Sequence, residues 1–464
     1  MLYQSTRGAS SLLNFRDATL AGLAPDGGLY LPQSWPQFSA QEISDLAGCD
    51  YAETAARVLA PFVGDCLSGE ELRDLTRAAY GAFSHDAVTP LVQLDARHWL
   101  LELFHGPTLA FKDIALQLLG RLFERFLSGT DTRLTIVGVT SGDTGSAAIN
   151  AVVGRAQISI VMLHPAGRVS EVQRRQMTTV LADNVHNVAI GGSFDDAQAM
   201  VKRMFADPAV TSQRSLSAVN SINWARLAAQ LVYYFYAAVR LGAPHRQVAF
   251  SVPTGNFGDV FAGHVAAQMG LPIAKLIVAT NVNDILHRAL STGDYSAGTV
   301  VPTATPSMDI QVSSNFERLL FDVGGRDGPA LAAQMRGFEA SGTMQLTNSQ
   351  RTCAARLMSS ARIDGEAMAG AMRWAWSQAG QLIDPHTAVG LAAALDDGLD
   401  PAIPMVTLAT AHPCKFGDAV LAETGQVPPL PARLGNIFEA EERYTQLSGD
   451  YAEVRDYVLK VTSP

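Results

Sequence analysis

FHGPTLAFKD, residues 104–113, contains one lysine, Lys112, at the point where an apolar approach changes to a helical pattern. From residue 114 onward, apolar residues recur every three to four positions, at Ile114, Leu118, Leu122 and Phe126. This spacing predicts an amphipathic helix with one buried stripe and Lys112 at its N-terminus. Burial and the positive helix end both favour the neutral amine, which is the form that reacts with a carbonyl cofactor. An arbitrary lysine at a helix end is more often solvated, so further motifs must decide its role.

The bulk composition is that of a large soluble enzyme. The chain has 464 residues, of which 48% are hydrophobic and 17% charged, so more than one subdomain is expected. The net charge of -10 argues against a nucleic acid or an anionic membrane as partner. If the substrate is an anion, a few placed cations and helix ends must bind it.

The cysteines and histidines predict a reducing cytoplasm and no metal. Cys49, Cys66, Cys353 and Cys414 form no CxxC pair, and none of the ten histidines stands three or four residues from another. Residues 1–7 lack an apolar signal core. The apolar run 227–239 is too short to span a bilayer and predicts a buried helix.

The chain predicts an α/β fold with two open, mostly parallel sheets flanked by helices. Residues 1–95 form an N-terminal module without visible chemistry, followed by a small α/β domain at 96–245 and a large one at 246–464. Strands are predicted at 134–140, 157–163, 184–190, 248–252, 275–279 and 405–410, alternating with helices. Residues 362–380 are expected to be helical, and the final thirty or so residues to wrap the surface.

Two of the predicted strands run into glycine-rich turns before a helix. The first turn is SGDTG, residues 141–145, and the second is TGNFG, residues 254–258. Such turns present backbone N–H groups and a positive helix end to an anion, although glycine also serves tight turns for purely steric reasons. Neither turn fits the dinucleotide or P-loop pattern.

The lysine and the two turns together resemble pyridoxal-phosphate enzymes of the tryptophan-synthase-β fold type (fold type II). Within them the chain is similar to threonine synthase, in the longer bacterial and fungal form. The segments that carry the resemblance are YQSTRG (3–8), DGGLY (26–30), HGPTLAFKD (105–113), TSGDTGS (140–146), GRVS (167–170), NSINWAR (220–226), GNFGD (255–259), DPHTAVG (384–390) and TAHPCKF (410–416). They cover nearly the whole chain.

The resemblance implies pyridoxal 5'-phosphate as cofactor and Lys112 as the catalytic Schiff-base lysine. Its phosphate would be held by Gly255, Asn256, Phe257 and Gly258. Thr410 would be a neutral partner of the pyridine nitrogen, or else an ordinary threonine at a strand end. Asp143 is expected to cap its helix and to contact the cofactor.

The substrate is expected to be bound at two places. Ser141 and Thr144 would hold its carboxylate. Ser221, Asn223 and Arg226 would hold its phosphate, because arginine matches a phosphate group with two parallel hydrogen bonds. Arg226 could instead be a surface arginine that opens the apolar helix. The roles of His105, His386 and Lys415 stay open, with Lys415 expected to be solvated.

The implied reaction converts O-phospho-L-homoserine and water to L-threonine and phosphate, the last step of threonine biosynthesis. The enzyme would be a cytoplasmic carbon–oxygen lyase with a small-molecule substrate, as a monomer or homodimer. Two alternatives stay open: a threonine or serine dehydratase on the same scaffold, and a catalytically silent relative that binds the cofactor as a structural or regulatory ligand.

Overall fold

The structure is a computed structural model that describes residues 1–462 apart from 141, 168 and 218, so Ser141, a predicted substrate contact, lies outside the described residues. The strands are β1 (Tyr3–Ser5), β2 (Tyr30–Pro32), β3 (Leu91–Gln93), β4 (His98–Glu102), β5 (Leu134–Val139), β6 (Ile158–Pro165), β7 (Val185–Ile190), β8 (Ser215–Ser217), β9 (Val248–Pro253), β10 (Ile273–Thr280), β11 (Met358–Arg362), β12 (Met405–Ala409) and β13 (Thr445–Leu447).

The α-helices, in chain order, are α1 (Phe15–Ala21), α2 (Ala40–Ser44), α3 (Tyr51–Val63), α4 (Gly69–Tyr80), α5 (Lys112–Leu127), α6 (Asp143–Val152), α7 (Glu171–Thr178), α8 (Phe194–Ala206), α9 (Pro208–Thr211), α10 (Trp224–Arg240), α11 (Gly258–Gln268), α12 (Ile285–Ser291), α13 (Phe316–Val323), α14 (Gly328–Ser341), α15 (Asn348–Ala355), α16 (Gly365–Ala379), α17 (Pro385–Leu395), α18 (Gly417–Thr424) and α19 (Tyr451–Val461).

The chain divides into two compact units, each built from two separate segments. Unit 1 comprises Met1–His105 and Ser221–Pro429, and unit 2 comprises Gly106–Asn220 and Leu430–Pro464. These limits differ from the three consecutive segments predicted from the sequence. The N-terminal segment shares unit 1 with the second glycine turn, and the C-terminal segment returns to unit 2.

Unit 1 has an open sheet in the strand order β11-β10-β9-β12-β4-β3. Strand β3 is antiparallel to β4, whereas the other neighbours pair in parallel. Every residue of the central strands β9 and β12 is buried, as expected for a parallel sheet covered on both faces. A separate antiparallel pair joins β1 to β2.

The helix α10 is the most enclosed long helix of unit 1. All residues from Trp224 to Val239 are buried, which confirms the prediction of a buried helix over 227–239. The predicted helix at 362–380 was wrong at its start, because residues 358–362 form β11, which pairs in parallel with β10. Helix α16 begins at Gly365, where Asp364 caps it by accepting the N–H of Ala367.

Unit 2 has an open, parallel sheet in the order β13-β7-β6-β5-β8. The expectation that the final residues only wrap the surface was wrong. Strand β13 pairs with β7, and Tyr451, Val454 and Val458 of α19 pack into the core with Val137 and Leu163. The apolar residues of α19 recur at helical spacing and bury one face, while its other face stays polar. Together the two sheets confirm the predicted fold class.

The helix α5 begins at Lys112, as predicted, but it is buried on more than one stripe. Gln117 lies off the apolar stripe, yet it is 3% exposed and its side chain donates to Asn150 of α6. Gly120 explains the close packing, because a Cβ there would lie 2.2 Å from the carbonyl oxygen of Ala151. The polar pattern therefore reflects buried hydrogen bonding as well as solvent exposure.

Candidate functional site

The segment before α5 is a tight turn fastened to the first helical residues. The Thr108 backbone N–H and hydroxyl each donate to the Asp113 carboxylate at 2.7 Å. A Cβ at Gly106 would lie 2.4 Å from the Cβ of Asp113, so only glycine fits. Leu109 adopts a left-handed conformation with φ of 62°. The turn thus fixes the position from which the Lys112 side chain projects.

The Lys112 side chain lies within unit 2 beside Asp143. The residue is 8% exposed, its Nζ lies 4.8 Å from the centre of the Phe111 ring, and it lies 3.6 Å from Oδ2 of Asp143. An opposite charge at this distance stabilises the ammonium form. The Asp143 carboxylate therefore acts against burial and the helix end, which favour the neutral amine of Lys112 and were the only effects visible in the sequence.

Asp143 is held from its other side by a residue that the sequence analysis did not identify. Gln173 of α7 donates its Nε2–H to Oδ1 of Asp143 at 2.8 Å, and both side chains are buried. Asp143 is the first residue of α6, where Gly142 occupies the N-cap position and, among the described residues, no side-chain hydrogen bond caps the helix. Asp143 therefore lies one residue after the N-cap position, and its carboxylate contacts Gln173 and Lys112.

The first glycine turn is organised by Thr140, at the end of β5. Its hydroxyl accepts the N–H groups of Gly142 and Gly145, each at 2.9 Å. Gly142 has a φ of 143°, and a Cβ there would lie 2.4 Å from the Gln173 side chain. Thr144 is half-buried at the start of α6. The structure therefore brings Lys112, Asp143 and Thr144 to one part of unit 2.

The second glycine turn, in unit 1, is backed by the segment that runs up to α13. A Cβ at Gly255 would lie 2.5 Å from the carbonyl oxygen of Ser307, and the Ser313 hydroxyl donates to the Gly255 carbonyl at 2.8 Å. Phe257 adopts a left-handed conformation with φ of 62°, and its ring packs edge-on against Phe316. Helix α11 starts at Gly258, so its first N–H groups point out of this turn.

The start of α10 lies next to this second turn. The hydroxyls of Ser221 and Ser314 are 3.1 Å apart, and the Ser314 hydroxyl donates to Oδ1 of Asn256 at 3.2 Å. Asn315 donates its amide to the carbonyls of Ser221 and Asn256, at 3.1 and 2.9 Å. The structure therefore brings Ser221 together with the predicted phosphate turn, which the sequence could not show.

The two other predicted residues of α10 differ in how their side chains are used. Asn223 caps the helix, since its Oδ1 accepts the Ala225 N–H at 3.0 Å and its Nδ2 donates to the Thr19 carbonyl at 2.8 Å. Arg226 is 5% exposed, so the alternative of a surface arginine was wrong. Burial lowers the pKa of Arg226 to about 10, which leaves the guanidinium charged at neutral pH.

Thr410 follows the last residue of β12 and is 7% exposed. Its N–H donates to the Thr387 hydroxyl at 3.2 Å.

Nearby in sequence, Lys415 is 3% exposed, so its expected solvation was wrong. His105 contacts Oε2 of Glu102 through Nε2 at 2.7 Å. Burial lowers the pKa of His412 to about 4, so this second histidine is neutral at neutral pH.

Several supporting residues were missed because they precede or follow no recognisable strand. Ser307, Ser313 and Asn315 lie in the irregular segment before α13, where the sequence gives no periodicity. Gln173 lies on α7, a short helix rich in polar residues, for which the sequence analysis made no prediction. Among the described residues, no group of three or more His, Cys, Asp or Glu side chains could hold a metal ion. No helix in the described ranges is long and apolar enough to cross a membrane.

Comparisons with known proteins cover nearly the whole chain. Residues 2–80 match the family described as threonine synthase N terminus, residues 83–341 match pyridoxal-phosphate dependent enzyme, and residues 387–458 match threonine synthase, C-terminal. Threonine synthase of Pseudomonas aeruginosa is 53% identical over 459 residues, covering 99% of this chain and 98% of the relative.

Solved structures give the same result. A pyridoxal-phosphate-bound threonine synthase from Brucella melitensis is 51% identical, with full coverage of both chains and a TM-score of 0.97. Threonine synthase from yeast is 36% identical, covers 99% of this chain and 98% of its own, and has a TM-score of 0.94. The chain therefore belongs to the threonine synthase family of pyridoxal-phosphate-dependent enzymes.

Proposed function

We propose that the chain converts O-phospho-L-homoserine and water to L-threonine and phosphate, as the last step of threonine biosynthesis. Its membership of the threonine synthase family over the full length supports this reaction. The observation in the structure that carries it is the buried lysine at the start of α5, held 3.6 Å from a buried carboxylate. The enzyme is a lyase that acts on a small-molecule substrate.

The described residues fit pyridoxal 5'-phosphate as cofactor. Gly255 leaves no room for a Cβ, and the turn at Phe257 directs the first N–H groups of α11 outward, as a phosphate-binding turn requires. Gly255, Asn256, Phe257 and Gly258 would hold the phosphate, Lys112 would be the attachment point, and Asp143 and Thr410 would contact the ring. When bound, the cofactor supplies an aldehyde for the substrate amine and a conjugated ring that withdraws electrons.

Lys112 moves the proton in this proposal. Its amine removes the proton at the substrate α-carbon and later returns a proton to the carbon skeleton. Asp143 stabilises the ammonium formed in between, because its Oδ2 lies 3.6 Å from Nζ. Gln173 keeps the carboxylate in place through its bond to Oδ1. The pair therefore sets the position of the amine and the stability of its protonated state.

Arg226 and Ser221 bind the phosphate group of the substrate. Ser141 and Thr144 bind the carboxylate of the substrate. A buried guanidinium binds phosphate with two parallel hydrogen bonds, and it stabilises the charge when the γ-carbon–oxygen bond breaks. Loss of a β-proton supplies the electron pair that expels the phosphate, and the γ-carbon takes up a proton to become a methyl group. Water then adds its oxygen to the β-carbon and gives up a proton, while the α-carbon is reprotonated. Asn223 contributes by capping α10, which fixes the direction of Arg226.

We also propose that the enzyme is cytoplasmic and is a monomer or homodimer. Cell fractionation would test the first proposal and sedimentation the second.

The experiment is release of phosphate from O-phospho-L-homoserine, with L-threonine measured as the second product. The purified chain loaded with cofactor is expected to produce both in equal amounts. Lys112→Ala should lower the rate by several orders of magnitude, whereas Lys202→Ala, at an exposed lysine of α8, should not. Borohydride reduction and peptide mapping should place the cofactor on Lys112.

Other outcomes identify the alternatives. Keto-acid formation from L-threonine or L-serine without any reaction of the phosphorylated substrate would indicate a dehydratase. Cofactor bound to Lys112 without turnover of either kind would indicate a silent relative. The first alternative leaves the Ser221 and Arg226 assignment without a function, since no phosphate group would be bound there.

A further inference from the structure

Asp384, the residue before α17, makes more hydrogen bonds than a helix cap needs. Its carboxylate is fully buried. Oδ1 accepts the Thr387 N–H at 3.1 Å and also the Thr387 hydroxyl, while Oδ2 accepts the His386 N–H at 3.0 Å and is 2.8 Å from His386 Nδ1. A helix cap requires the backbone bonds alone. The two side-chain bonds call for a different explanation.

The Thr387 branch leads to Thr410. The Thr387 hydroxyl donates to Asp384, so its oxygen is free to accept, and it accepts the Thr410 N–H at 3.2 Å. Thr387 is fully buried. The backbone of Thr410 is therefore tied to Asp384 through one hydroxyl, just beyond the end of β12.

The His386 branch leads to the second glycine turn. His386 Nε2 accepts the Ser307 N–H at 3.3 Å, so Nε2 carries no proton. The proton must then be on Nδ1, which donates to Asp384, and the ring is neutral. The carbonyl of the same residue, Ser307, is the group that would lie 2.5 Å from a Cβ on Gly255. His386 thus fixes the segment that backs Gly255.

We infer that Asp384 is a positioning residue that holds two parts of the cofactor site at once. Through Thr387 it places Thr410, the partner assigned to the ring nitrogen, and through His386 it places the turn assigned to the phosphate. This inference rests on the proposed assignment of those two contacts. One buried carboxylate then sets the distance between the ring contact and the phosphate contact, so that the cofactor binds in a single pose.

The branches can be cut separately. Thr387→Val keeps the shape but removes the hydroxyl, and His386→Phe keeps a ring against Phe416, whose centre lies 4.9 Å away, but removes both ring hydrogen bonds. Asp384→Asn keeps one oxygen for the helix cap, and this neutral oxygen accepts from the Thr387 hydroxyl more weakly than a carboxylate does. Its amide N–H₂ cannot accept from His386, so one branch is weakened and the other is lost. Asp364→Asn at the exposed cap of α16 is the matched control.

The readouts are the absorbance maximum of the bound cofactor, which reports on its ring, and the ³¹P resonance of its phosphate, together with the dissociation constant measured by equilibrium dialysis. Thr387→Val should shift the absorbance maximum and leave the ³¹P resonance unchanged. His386→Phe should do the reverse and raise the dissociation constant about tenfold, the effect of losing the hydrogen bond that holds Ser307, at ~1.4 kcal/mol. Asp384→Asn should shift both signals, and Thr387→Ser should restore the wild-type absorbance.

The inference is overturned if both single-branch variants leave both signals unchanged, or if Asp384→Asn behaves like Asp364→Asn. The single-branch variants decide the matter if Asp384→Asn yields no folded protein. These spectra do not depend on turnover. A wild-type chain that binds cofactor but releases no phosphate would therefore refute the proposed reaction and leave this test intact.

Discussion

The two glycine turns share one sequence pattern but are supported in different ways. The first, in unit 2, is held by side chains: the Thr140 hydroxyl accepts two of its N–H groups, and Gln173 fills the space beside Gly142. The second, in unit 1, accepts hydrogen bonds from the Ser313 and Asn315 side chains, but the space beside Gly255 is filled by backbone, the Ser307 carbonyl. A side chain can rotate away from an added methyl group, whereas a peptide group cannot. Equal motifs therefore predict unequal tolerance to substitution.

Each turn is also associated with an aspartate at the start of its helix, and the two carboxylates differ in environment. Asp143 faces the Lys112 ammonium at 3.6 Å. Asp259 accepts the hydroxyls of Tyr233 and Tyr234, and its Oδ2 is buried without a hydrogen-bond partner among the described residues. Burial raises the pKa of Asp259 to about 6. The Lys112 ammonium stabilises the negative charge of Asp143, whereas burial disfavours the negative charge of Asp259.

The largest effect is expected for Gly255→Ala. The added Cβ would meet the Ser307 carbonyl at 2.5 Å, and a forced backbone shift costs about 3 kcal/mol, which is roughly a hundredfold in cofactor affinity. Gly258→Ala is the control in the same turn, because its Cβ would meet only side-chain atoms at 3.4 Å or more. Equilibrium dialysis of the apoenzyme measures both. Equal dissociation constants for the two variants would show that the backbone contact does not define the turn.

The second effect concerns pH and Asp259→Asn. An aspartate carboxyl exposed to water in the unfolded chain has a pKa of 3.8, whereas the pKa of Asp259 in the folded chain is about 6, so between these values the folded state binds more protons. Stability therefore falls as pH rises through this window, by ~1.4 kcal/mol per unit and up to about 3 kcal/mol in total. Asn keeps acceptors for the tyrosines but does not titrate.

Urea unfolding of both proteins at about pH 4.5, 5.5, 6.5 and 7.5 would test this. The stability of Asp259→Asn relative to wild type should rise up to about pH 6.5 and then level off. A difference that is constant with pH would mean that Asp259 is charged throughout, in spite of its burial.

The sequence predicted most of what is repeated or periodic. The buried strands, the start of α5 at Lys112 and the enclosed helix α10 followed from apolar spacing alone, because burial is what that spacing encodes. The C-terminal segment could not be placed in the same way. Its apolar residues are spread over β13 and α19, and their partners lie more than 250 residues earlier, on β7 and the core around Val137.

The candidate site residues were predicted from motifs, but the residues that hold those motifs in place were not predicted. Lys112 and the glycines stand out because each has a local reason, a helix start or a turn. Gln173 and Ser313 act across 30 and 58 residues of sequence, through single hydrogen bonds that leave no pattern. Asp384 stood out in the sequence only as part of the segment 384–390, which carries the family resemblance. Its two side-chain branches became evident only in three dimensions.

The smallest effect compares one hydroxyl from each turn. Thr140→Val leaves two buried N–H groups, of Gly142 and Gly145, without their acceptor, at a cost of about 2 kcal/mol in unfolding free energy. Ser313→Ala removes one bond to the Gly255 carbonyl and should cost about 1 kcal/mol, because the Ser307 peptide still backs that turn. Thr140→Ser, which keeps the hydroxyl, should lie near wild type. If Ser313→Ala proved as costly as Thr140→Val, the second turn would depend on side chains as much as the first, and the contrast between backbone and side-chain support would fail.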